Sequence, residues 1–168
     1  FNNSCPMNDA GTARCHAGCG PIAVAQIVYY NRQPQSLGGI TFDWDLISEY
    51  EYGNSNHSTN ATIEVANLVS QIGHLMNADY DNQADETGTS TTKESARALF
   101  LSAGYSNAAI VNYSLPAAIT MVYHMQKPVF IRGNESDGSN GHAWVIDGCN
   151  VYEVDYWIRH YINEEIYN

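Results

Sequence analysis

The chain reads as an α+β protein, with helical patterns first and strand patterns last. Two observations carry this. From about residue 20 to 123, apolar residues recur at helical spacing behind recognisable start signals. From residue 128 onward, short apolar and aromatic runs take over: "PVFIRG", "HAWVIDGC" and "VYEVDYWIRHYI". The 168 residues suit one domain spanning 1–168, or two small lobes around a cleft, and no internal repeat divides them.

Residues 1–18 form an irregular lead-in. Residues 20–31 form the first helix, with Pro21 in a first turn where its missing N–H costs nothing. From Ile22 to Tyr30 this helix is apolar on nearly every side except at Gln26, a pattern that predicts burial all round. Gln26 is then expected to be buried and hydrogen-bonded. Arg32 to Gly39 is a loop, followed by "ITFDWDLI". The polar stretch Glu49 to Asn60 reads as a surface loop. Thr62 starts a second helix, with Ile63, Ala66, Leu68, Val69, Ile72, Leu75 and Met76 near helical spacing. Asn82 to Thr92 is a polar loop, and the Thr92-Lys93-Glu94-Ser95 run opens a third helix reaching about Ala103. Ser114-Leu115-Pro116 starts a fourth, through Ile119, Val122 and Tyr123.

Composition narrows the function classes. Hydrophobic residues make up 44%, enough for a core, and Lys+Arg is 7 against Asp+Glu 18, for a net charge of −11. Such an acidic chain is a poor partner for nucleic acid or for anionic membranes. No apolar run is long enough for a membrane span. The chain opens at Phe1, as expected of a processed N-terminus in a secreted or extracytoplasmic protein.

The chemistry concentrates at two places. Cys19 stands at the mouth of the first helix, where unpaired N–H groups and the positive end of the helix dipole converge. That setting favours a thiolate and can receive a developing oxyanion. A thiolate needs a base, and the candidate is His142, which opens a short strand, Ala143 to Ile146, expected to be buried. It follows a loop from Gly133 to Gly141 rich in Gly, Ser and Asn. Such a loop is a candidate for a mobile flank of a substrate cleft, and Gly18, Asn140 and Gly141 are candidate substrate-binding positions. No metal or organic cofactor is required for Cys/His chemistry.

Other residues compete for these roles. Cys5, Cys15, Cys19 and Cys149 make four, which in a secreted chain could form two disulfides. Cys15-His16-x-x-Cys19 has suggestive zinc spacing, without a second close Cys/His pair. His16, His57, His74, His124 and His160 fit exposed or satisfied histidines. Asp147 lies at odd offset from His142, so on the opposite strand face, whereas Trp144 at even offset shares the face of His142.

"GCGPIAVAQIVYY" resembles the nucleophile segment of the streptopain family of secreted bacterial cysteine peptidases, and "NGHAWVIDG" resembles its histidine segment. "FDWDLI" at 42–47, "VANLVSQIGHLMNADY" at 65–80, "GTSTT" at 88–92, "AGYS" at 103–106 and "KPVFIRG" at 127–133 are similar, in order, to further segments of that family. The resemblance implies a papain-like two-lobed architecture with a cleft between a helical and a strand-rich part. It implies a thiol endopeptidase acting on protein or peptide substrates, with Cys19 as nucleophile and His142 as its acid–base partner. It also implies synthesis as a zymogen whose N-terminal propeptide, or a propeptide-like inhibitor, is a partner. A preference for an apolar side chain at the second position before the cleaved bond is likewise implied. The family's Asn-Trp-Gly-Trp-Gly segment is missing, so the chain is expected to stop before it, leaving the third catalytic residue unassigned; the second oxyanion donor is unassigned too, because position 13, six before Cys19, is Ala. Two alternatives remain: a non-catalytic homologue acting as a binding module, and a Cys/His amidase or transpeptidase.

Overall fold

The structure is a computed structural model that describes residues 1–50, 58–80, 89–137 and 141–150, with the backbone of 159–161 and 164–166. Its organising element is helix α1 (Cys19–Asn31), which buries Pro21, Ala23, Val24, Ala25, Ile27 and Val28. The helix ends where Arg32 turns left-handed at φ 47°, its N–H bonding back to the Tyr29 and Val28 carbonyls. Burial is not complete around α1. Gln26 is exposed rather than buried, in line with Tyr30 one turn on and half-buried Ile22 one turn back. The i, i+4, i+8 spacing of these residues makes a solvent-facing stripe, which removes any need for buried partners at Gln26.

Helix α2 (Trp44–Ser48) lies within "FDWDLI". Asp43 caps it, its Oδ1 accepting from the N–H groups of Asp45 at 3.1 Å and Leu46 at 3.0 Å. Helix α3 (Thr59–Leu75) begins three residues earlier than the apolar spacing predicts, because Ser58 caps it by accepting from Ala61 N–H at 3.1 Å. Thr59 and Asn60, expected in a loop, are therefore helical, and residues 51–57 of that stretch lie outside the described residues. Its stripe of Ala61, Val65, Leu68 and Ile72 faces the core, where α1 and α3 pack on each other. Val24, Val28, Leu68, Val69 and Ile72 are each 2% exposed or less. Burying each is worth about 1.5–3 kcal/mol before chain entropy is counted.

Helix α4 (Lys93–Ser102) opens on a capping box between Thr92 and Ser95. Helix α5 (Leu115–Ile119) widens into a π-helical turn over Thr120–His124, so the expected fourth helix changes form midway. Thr120 Oγ1 bonds back to the Pro116 carbonyl at 2.9 Å, a side-chain bond that competes with the helical ladder at that step.

The strands pair as antiparallel hairpins. Strands β1 (Ser36–Leu37) and β2 (Ile40–Thr41) pair with each other, as do β3 (Asp79–Tyr80) and β4 (Thr89–Ser90). Thr89 and Ser90 were expected in a loop, and residues 82–88 of that stretch lie outside the described residues. Strands β5 (Val129–Gly133) and β6 (His142–Ile146) pair in a register that sets Gly133 opposite His142. Strands β7 (Arg159–Tyr161) and β8 (Glu164–Ile166) pair near the C-terminus. The β6 segment is buried only at Ala143, whereas His142 and Trp144 are exposed. One face of β6 meets α1 and the other opens to solvent, which is the alternation of a half-buried strand.

The N-terminal segment folds back on itself through a bridge between Met7 and Arg14. Asn8, 5% exposed, secures the turn by accepting from the N–H groups of Thr12 and Ala13. Cys5 and Cys15 are both fully buried in this segment, and no disulfide joins the four cysteines. Burial pushes the Cys5 thiol up. Tyr80, hydrogen-bonded to it, is pushed up to about 12 by burial first and by the neighbouring thiols second. Both groups are neutral when protonated, and folding raises both. Their contribution to stability is therefore full below the unfolded values of 9.0 and 10.0, and is lost as pH rises toward about 12. The melting temperature should fall through this window, and Tyr80→Phe should fall less steeply between pH 10 and 12. Parallel curves for parent and variant would remove Tyr80 from the effect.

Candidate active site

The backbone at the start of α1 is shaped by what it excludes. Gly18, the residue before the helix, has φ 86°, a left-handed value that favours glycine. A side chain there would also stand 2.9 Å from the Thr89 methyl, and one at Gly20 would collide with the Thr91 hydroxyl. Thr89 Oγ1 donates to the His16 carbonyl, tying β4 to the segment that leads into Cys19. Ala17 N–H reaches Asn2 Oδ1 at 2.9 Å and fixes the same segment from the N-terminal side. "GTSTT" thus supplies two threonines that fill the room left by two glycines. No side chain caps this helix end. Its first N–H groups are therefore not taken up by a capping residue.

Cys19 is half-buried at that mouth. Strand β6 runs against α1, and the N–H of Ala143 donates to Cys19 Sγ at 3.4 Å. The sulfur therefore touches the residue immediately after His142, and two groups far apart in sequence share one place. The His142 imidazole stacks on the Trp144 indole, ring centroids 5.8 Å apart and planes 20° from parallel. Gly141 directly precedes β6, where an added side chain would meet the Arg132 guanidinium. Gly18 and Gly141 thus flank the pair from either element, while Asn140 lies outside the described residues.

The competing assignments fare differently. Cys15 is fully buried and His16 is exposed, so the two do not converge with Cys19 on a common ligand. Among the described residues no three His, Cys, Asp or Glu side chains cluster as metal ligands. Asp147 is exposed beyond the end of β6, and Gln26 lies two turns along α1 from Cys19. Among the described residues the contact of the imidazole ring is Trp144, and no Asn or Asp side chain hydrogen-bonds it. No helix among the described residues is long and apolar enough to cross a membrane.

Sequence reading alone does not find the Ala143 N–H or the Thr91 contact. A backbone donor carries no side-chain signal, and the Thr91 approach is visible only as a glycine at position 20.

Comparisons with known proteins bear on the family and the fold. No curated protein matches the chain by sequence. Among solved structures it is similar to the active wild-type interpain A cysteine protease of Prevotella intermedia. That likeness has a TM-score of 0.66 at 22% identity, over 89% of this chain and 71% of the other. At that identity the likeness speaks for the fold, which is similar to that of a papain-like cysteine protease. The sequence itself matches the model of the peptidase C10 family over residues 1–164. A helix-borne cysteine met by a histidine-bearing strand, in a chain matched by that model along nearly its whole length, belongs to the peptidase C10 family and is a cysteine-type peptidase.

Proposed function

We propose that the chain is a secreted cysteine endopeptidase working through Cys19 and His142, within one papain-like domain. The observation that supports this reading is the Ala143 N–H donated to Cys19 Sγ at an uncapped helix mouth, from the residue that follows His142 in the chain. His142 takes the thiol proton, and the thiolate attacks the scissile carbonyl carbon. The Cys19 backbone N–H and the helix end receive the oxyanion. Collapse of the tetrahedral adduct breaks the C–N bond as His142 gives its proton to the leaving amine, and a thioester remains. Water, deprotonated by His142, hydrolyses the thioester and returns the thiol. Gly18 and Gly141 are assigned to substrate binding by their places next to Cys19 and His142 in the chain. Asn140 is assigned with them from its place in the sequence.

The family makes protein the substrate class. Cleavage within chains, an apolar preference at the second position before the cleaved bond, export and an N-terminal propeptide are the finer parts of the proposal. They are supported by the streptopain-like motifs and the acidic composition.

Cys19→Ala should abolish digestion of unfolded casein while stability falls by only about 1 kcal/mol, since Ala is a good helix former and no disulfide is lost. Retained proteolysis would remove Cys19 from the mechanism.

Alkylation offers a second check. Iodoacetamide should modify Cys19, located by peptide mass mapping, faster than the fully buried Cys5 and Cys15. In His142→Ala the rate at Cys19 should fall. Equal rates at Cys19 in parent and variant would sink the thiolate–imidazolium pair.

A further inference from the structure

His142 and Trp144 lie on one face of β6, and their stacked rings are both exposed. Trp144 keeps 42% of its surface accessible, high exposure for an indole. The hairpin explains the pose. Opposite His142 stands Gly133, and a Cβ built there would lie 3.3 Å from Trp144 Cη2. The distal indole ring therefore lies against the bare backbone of Gly133, and the same indole stacks with the imidazole.

Ring centroids 4.5–7 Å apart are the range in which aromatic pairs attract. A cation within about 6 Å of an indole centroid is attracted by the ring face as well. At 5.8 Å the imidazole meets both conditions. We propose that Trp144 is a positioning residue for His142: seated on Gly133, its indole fixes the imidazole plane and favours the protonated ring. This rests on the acid–base role assigned to His142. Other charged or titratable groups on the elements packed against β6 are Cys19, Tyr29 and Tyr30 on α1 and Arg132 on β5. Glu135 follows β5, and Asp147 follows β6. Each could perturb His142 independently of the stack, so the test must isolate the indole.

Imidazolium quenches indole fluorescence on contact, which gives a readout that needs no catalysis. The emission of the parent minus that of Trp144→Phe should show a pH-dependent step, and the step should vanish in His142→Gln. In Trp144→Leu the alkaline limb of kcat/KM on a peptide substrate should move to lower pH. That variant should lose about two- to fivefold at the parent's alkaline shoulder. Trp144→Phe, which restores an aromatic face, should recover most of that loss. Gly133→Val leaves both rings in the sequence but lifts the indole, and should erase the fluorescence step even if Trp144→Leu folds poorly. Absence of any step in the parent, or an unchanged alkaline limb in Trp144→Leu, would overturn the proposal. Should Cys19→Ala stay proteolytic while the step is present, the assigned mechanism fails and the ring contact stands.

Discussion

The position of Cys19 is set by a helix that cannot shift. Helix α1 is wedged between α3 on one side and the β5–β6 hairpin on another, with Val24 and Val28 wholly enclosed. Sliding α1 by a fraction of a turn would open space on one side and force overlap on the other, and packed interiors resist both. The first residue of a helix held this way has a fixed place. Because β6 packs on the same helix, the strand that bears His142 is referenced to the same body as the sulfur. One packing arrangement thus locates both partners.

Around that body the lead-in is fastened at several points. Asn2 holds Ala17, Thr89 holds His16, and Gly18 and Gly20 let β4 and Thr91 come close. These contacts act on backbone on either side of Cys19 and leave its side chain directed toward β6. The other face of β6 is open to solvent.

Much of this was legible in the sequence where the physical signal is local. Pro21 and the apolar run after it mark α1, and the glycines around 141–148 bound the strand of His142. Thr92 marks the start of α4 because a capping box is written in nearby letters. Legibility failed where neighbours decide. Gln26 sits in an apolar run, yet its side of α1 faces water, and nothing within the run says which side remains uncovered. Ser58 reads as one more polar residue in a polar stretch until its bond to Ala61 N–H makes it a cap. The widening of α5 into a π turn goes with the bond from Thr120 Oγ1 to the Pro116 carbonyl, which apolar periodicity does not report.

The bond from Ala143 to the sulfur has a consequence for how this protein can be studied by mutation. Its donor belongs to the main chain, so replacing the side chain at 143 leaves the group itself intact. Truncation scanning, which reports what side chains contribute, would pass over this contact in silence. Only proline, which lacks the N–H, or an ester in place of the amide deletes the donor. The position is therefore constrained twice, by the room around its buried side chain and by its backbone N–H, and a tally of permitted residues there would report only the first.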